Sequence, residues 1–179
     1  MVKSKNIITS VVTSPAFLDA KAKREARDAF WSESPLFDLV SLPSKSKGTI
    51  IEKMAAEMCS SVYGLAVEKT KSREHDYLVN GFSTEIKGSL SWSNEENHWV
   101  WQQIRRIHKY ERVVFVGINP SQVFMWWCDK RDLDFNLFPD PKNIQHGGQD
   151  GHQQMYWINT TQEGRIPSYF KSMEVFVTH

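Results

Sequence analysis

Apolar positions recur along the chain with two periods. Behind Ser14-Pro15, a capping serine followed by a proline suited to a first turn, Phe17, Leu18, Ala22, Ala26, Ala29 and Phe30 return at helical spacing. Lys21, Lys23, Arg24 and Arg27 take the other side. Residues 32–48 hold two prolines and many serines and read as a connection. Ile50, Ile51, Met54, Ala55, Met58 and Val62 then form the stripe of a second helix that ends near Gly64. The period next falls to that of a strand. Residues 74–79 and 82–87 are short extended runs joined at Asn80-Gly81, a strong hairpin signal. Trp99, Gln103, Ile104 and Ile107 share one side of a helix predicted over 98–108. The apolar run 112–118 predicts a buried strand, and 122–128 a further strand after Asn119-Pro120-Ser121. Past residue 130 the periodicity fades into Asp, Asn, Gln, Gly and His with scattered aromatics, as in a loop-rich recognition segment.

At 179 residues and 20.8 kDa the chain fits one domain. It divides into an N-terminal arm (1–47), a core (48–129) and a C-terminal segment (130–179). The expected fold class is α/β, a central mixed sheet of about four to five strands flanked by helices. Hydrophobic residues at 40% and charged residues at 24% exclude a disordered chain, and no apolar run approaches the ~20 residues of a membrane span. The basic start is followed by an apolar patch (Ile7, Ile8, Val11, Val12) that Thr9 and Ser10 interrupt, too short for a signal peptide. A cytoplasmic protein without a membrane partner is the expectation. Cys59 and Cys128 form no CxxC pair and read as small core residues. A net charge of +1 neither demands nor forbids a nucleic-acid partner, because distribution matters more than the sum.

The chemistry concentrates in the hairpin. Asp76 lies on its first arm, and Glu85 and Lys87 lie on the second. Positions 85 and 87 are two apart on a strand and so leave the same face, while the tight turn brings Asp76 back towards them. Two converging carboxylates suit a hard divalent cation such as Mg²⁺. A lysine beside them can orient or activate a water and neutralise charge on a phosphate. These are the parts of metal-assisted phosphodiester hydrolysis. The plainer alternative is a surface hairpin in which Glu85 and Lys87 form an ordinary ion pair.

Asp76 and the run Glu85-Ile86-Lys87, with a hairpin between them, resemble the motif of the PD-(D/E)XK nuclease superfamily, the restriction-endonuclease-like fold. A preceding helix with a glutamate matches GTIIE at 48–52, which gives Glu52 ahead of Glu57; a following helix and hydrophobic strand match 101–105 and 112–118. His75 stands where the family often has proline. The resemblance covers about 80 residues, 48–128. It implies a Mg²⁺-dependent, sequence-specific double-stranded DNA endonuclease of restriction or homing type, with Mn²⁺ able to substitute. Asp76, Glu85 and the Ile86 carbonyl would hold the metal, Lys87 would act on the water, Glu52 would reach a second metal, and Gln103, ahead of Gln102, would support the site. Products would carry 5′-phosphate and 3′-hydroxyl ends.

Other residues are candidates for DNA contact. Ser89 shares the strand face of Lys87 and could bond a phosphate or be a simple strand-end hydroxyl. Arg105, Arg106 and Lys109 belong to a basic run that suits either a backbone clamp or a solvated face. Gln145, His146 and Gln149 lie in a Gln-, Asn- and Gly-rich stretch that could read base edges or be an ordinary polar loop. His75 is a weaker candidate, and a zinc site from His146, His152 and Cys128 lacks ligand spacing. One site per chain and two strands to cut imply a homodimer or homotetramer. The alternatives are a structure-selective nuclease, of junction or repair type, a DNA-binding module without cleavage, and a structural interaction domain.

Overall fold

The hairpin and the apolar strand at 112–118 form the middle of one mixed sheet. In the computed structural model, which describes residues 11–91, 98–133, 155–159, 166–173 and 176, three helices come first: α1 (Pro15–Trp31), α2 (Phe37–Ser41) and α3 (Ser44–Ser61). Eight strands follow: β1 (Val67–Lys69), β2 (Tyr77–Val79), β3 (Phe82–Leu90), β4 (Val100–Arg105), β5 (Arg112–Ile118), β6 (Val123–Asp129), β7 (Met155–Asn159) and β8 (Lys171–Ser172). The six-stranded sheet runs β1-β2-β3-β5-β6-β8, and β4 pairs with β7 in a separate ribbon. Only β3 and β5 are parallel; every other pairing is antiparallel. The fold is thus α/β, with two strands more in the sheet than the smaller number expected.

Every residue of β5 is buried because both faces of the sheet are covered. Val114, Val116 and Ile118 pack with Ile51, Ala55 and Cys59 on the helical side. Val113 and Phe115 pack with Trp99, Trp101 and Ile104 of the ribbon on the other. Glycines allow both layers to approach closely. A Cβ on Gly88 would come within 2.3 Å of the Ile51 side chain, and one on Gly117 within 2.7 Å of the Trp99 ring. The indoles of Trp99 and Trp101 donate to the Ile118 and Val116 carbonyls at 3.2 and 2.9 Å, so their polar edges are satisfied inside the core. Cys59 and Cys128 are core residues, each thiol pushed up to about 12 by burial.

Three expectations need correction. The helix predicted over 98–108 is strand β4 and a turn. A bulge between Trp101 and Ile104, with Gln103 at φ 59°, adds a residue to the strand, so consecutive inward positions fall three apart. That spacing imitates one helical turn, and the strand's partner β7 is about fifty residues away in sequence. The crossover between parallel β3 and β5 therefore carries a ribbon strand where the resemblance implied a helix.

The arm is not an appendage. Trp31, Leu39 and Val40 are buried in the helical-side core, α2 forms within the supposed connection, and α3 begins at Ser44, so a boundary at residue 48 cuts through a helix. The stripe of α1, conversely, stays largely open: Phe17 and Leu18 are exposed, and Trp31 is the helix's buried residue. Only the end of α1 reaches the core. Ser14 caps the helix as expected, accepting from the Phe17 N–H.

Candidate active site

The hairpin turn is built by Asn80 and Gly81, both at positive φ (50° and 83°), as a two-residue loop that matches strand twist requires. The Asn80 side chain also accepts from the Ala66 N–H, which fastens β1 to the turn. Register then aligns Tyr77 with Thr84, and the Asp76 N–H donates to the Thr84 carbonyl at 3.0 Å. Thr70 braces this corner by donating its hydroxyl to the His75 carbonyl at 2.9 Å. Asp76 thereby comes level with the second arm, and its Oδ2 accepts from the Ile86 N–H at 2.9 Å.

Glu85 and Lys87 project from β3 as neighbours, and the Lys87 ammonium donates to the Glu85 carboxylate. Both are substantially enclosed, with side chains 9% and 17% exposed. Burial pushes the Glu85 carboxyl above its ordinary range, Lys87 opposes that, and the Asp76 charge adds to it. Arg105, at the end of β4, also acts on Glu85, and its guanidinium stands 3.4 Å from the His108 ring.

A cavity of about 550 Å³ opens beside these residues. Asp76, Ile86 and Lys87 form one wall, Glu52 of α3 joins them, and Gln102 and Gln103 of the β4 bulge contribute from the ribbon. The structure therefore brings Asp76, Lys87, Glu52 and Gln103 to one cavity, although Gln103 arrives on a strand rather than a helix; Glu85 does not line it and meets the site only through its ion pair with Lys87. Glu52 is engaged by Lys69 at 2.6 Å. Glu57 is exposed and does not line the cavity. Ser89 lines it, but its oxygen accepts from the Val100 N–H at 2.9 Å and so braces the start of β4. Arg106 and Lys109 are exposed in the turn after β4. Gln145, His146 and Gln149 lie outside the described residues.

Hard oxygen donors suit Mg²⁺; Asp76 lines the cavity with the Ile86 backbone beside it, and Glu85 is a second carboxylate near enough for the Asp76 charge to act on it. Among the described residues no group of three or more His, Cys, Asp or Glu side chains forms a ready metal cage. The donor set is a carboxylate pair that fits a cation completing its shell with water. The raised proton affinity of Glu85 belongs to a carboxylate that an added positive charge would hold ionised.

Sequence reasoning missed part of the cavity lining. Lys45, Lys47 and Thr49, from the first turns of α3, line the cavity. The signal was present as two lysines just ahead of an apolar stripe, but in a segment read as a connection. Comparison with family models, with characterised proteins and with solved structures gives no match, so the resemblance rests on these residues and this arrangement alone.

Proposed function

We propose that the protein is a Mg²⁺-dependent DNA endonuclease that hydrolyses phosphodiester bonds in the manner of the PD-(D/E)XK superfamily. One observation carries this reading. The Asp76 carboxylate is tied to the β3 backbone at Ile86, between Glu85 and Lys87, on the wall of a cavity open to a substrate. A surface hairpin with an incidental Glu–Lys pair needs neither the second carboxylate nor the cavity.

Asp76, Glu85 and the Ile86 carbonyl would hold the ion, and Glu52, which lines the same cavity, would reach a second one by exchanging its Lys69 partner. Bound there, the cation would polarise the phosphoryl oxygens and acidify a water. Lys87 presents a positive charge at the cavity wall, held in direction by Glu85. That charge orients the attacking water and offsets the negative charge that grows on the phosphoryl oxygens. Attack of the water oxygen on phosphorus breaks the P–O3′ bond and leaves a 5′-phosphate and a 3′-hydroxyl. Gln102 and Gln103 line the cavity from the ribbon side. Duplex cleavage by a single site per chain calls for a symmetric homodimer or homotetramer.

The test is digestion of long, sequence-diverse duplex DNA with Mg²⁺ or with EDTA, beside Asp76→Ala. Discrete Mg²⁺-dependent fragments, absent with the variant, are expected and would report the recognition site. Metal-independent cutting, or equal cutting by the variant, would overturn the reading.

A further inference from the structure

Charges of both signs line the cavity from each side of it. The hairpin contributes Asp76 and Lys87, while α3 contributes Lys45 and Lys47 from its first turn and Glu52 about two turns from its start. The other lysines near the acids have carboxylate partners: Lys69 pairs with Glu52 and Lys87 with Glu85. Among the described residues, neither Lys45 nor Lys47 pairs with a carboxylate. Lys47 is half-buried, and its ammonium is held below the ordinary lysine range by burial and by the charge of Arg27, whose own partner is Asp28. Half-buried Lys47 lacks a carboxylate to compensate it and gains when an anion enters the cavity, and exposed Lys45 adds a second positive charge to the same lining. The first turn of α3 also contains no acidic residue that could compete with such an anion.

We infer that Lys45 and Lys47 form a phosphate clamp that grips the nucleic-acid backbone next to the scissile phosphodiester, positioning the strand in the cavity that Asp76 and Lys87 also line. The inference rests on the nuclease reading for the chemistry at Asp76 and Lys87, and it makes Lys45 and Lys47 positioning residues. The Asp76 carboxylate repels phosphate unless a cation intervenes, whereas Lys45 and Lys47 attract it directly. A strand crossing the cavity thus has one registered orientation, with a flanking phosphate on α3 and the scissile one towards Asp76. Base identity plays no part in this grip, so it contributes affinity and register rather than sequence preference.

The experiment compares wild type, the double variant Lys45→Gln/Lys47→Gln, and the control Lys53→Gln, an exposed lysine of the same helix that does not line the cavity. Binding to a labelled duplex is measured by fluorescence anisotropy with Ca²⁺ between about 50 and 200 mM salt. Cleavage kinetics with Mg²⁺ and thermal melts accompany it. Expected are unchanged melting, a KM raised at least several-fold with kcat within about two-fold, and a salt slope reduced by about one per lysine removed. Lys53→Gln should match wild type. Cleavage with unaltered KM and slope in the double variant would overturn the clamp and leave the nuclease intact. The same would follow from an equal loss of slope in Lys53→Gln, which marks a diffuse charge effect. Wild-type binding without cleavage, with the slope lowered in the double variant alone, would retain the clamp and remove the nuclease reading. Absence of wild-type binding would overturn both.

Discussion

Asp76 Oδ2 accepts a hydrogen bond from the backbone N–H of Ile86 at 2.9 Å, which locks the start of one hairpin arm to the middle of the other. The contact fixes the candidate metal-binding carboxylate relative to its neighbours on β3 without using a side chain from that strand. Glu85 and Lys87 are left to pair with each other on the opposite side of the backbone from Gly88 and the helix it touches.

Asp76 consequently has two separable duties. Asp76→Asn keeps an oxygen for the Ile86 N–H and should melt close to wild type. Asp76→Ala leaves that donor unpaired and should lose about 1–3 kcal/mol. Cleavage should vanish in both, because neither supplies a carboxylate. Thermal melts beside the DNA digestion check this; a stable Asp76→Asn that still cuts at the wild-type rate would contradict the role.

Lys87→Ala should lower the cleavage rate by about 10²–10⁴-fold. DNA affinity in Ca²⁺ should change little, since the lysine acts chiefly on the transition state. Single-turnover cleavage and anisotropy separate the two quantities. Equal loss of both would instead make Lys87 a binding residue.

Gly88→Ala should destabilise the fold by about 1–3 kcal/mol through overpacking, because its Cβ would meet Ile51 Cγ2 at 2.3 Å. Combined with Ile51→Ala, the loss should be smaller than the sum of the two single losses. Denaturant unfolding of the four proteins measures the coupling. Strict additivity would mean that α3 and β3 do not meet as described.

The Gln103 backbone at φ 59° favours glycine. Gln103→Gly should therefore retain or raise stability, while Gln103→Val should cost about 1–2 kcal/mol, as a branched side chain resists this conformation. Thermal melts distinguish them, and equal effects would argue against the bulge.

Glu111 accepts from both the N–H and the hydroxyl of Ser83 at 2.9 Å, fastening the start of β3 to the start of β5. Those bonds hold its carboxyl below the ordinary range. The folded state thus binds that proton less readily than the unfolded one. Its contribution is complete above the unfolded value of about 4.3 and is lost as pH falls through the lowered folded value. Glu111→Gln should flatten this part of the acid limb in a pH series of melting temperatures. An unchanged limb would show that the pair is too solvent-exposed to count.

Local signals carried the hairpin, its Asn-Gly turn, the buried β5 and the acid-acid-lysine spacing, because backbone conformation and alternation act over a few residues. Ser14 and Gly64, the latter at φ 67°, likewise mark helix ends through their own chemistry. The β4 bulge escaped because Trp101 and Ile104 have a helix-like separation, and only pairing with β7 shows them to be strand residues. The two lysines escaped for a related reason. Lys45 and Lys47 gain significance from the cavity they share with Asp76, some thirty residues away in sequence. Residue types and short-range spacing determined which groups could do chemistry here. Tertiary packing decided which of them meet, since burial and charge pairing depend on neighbours that sequence distance does not reveal.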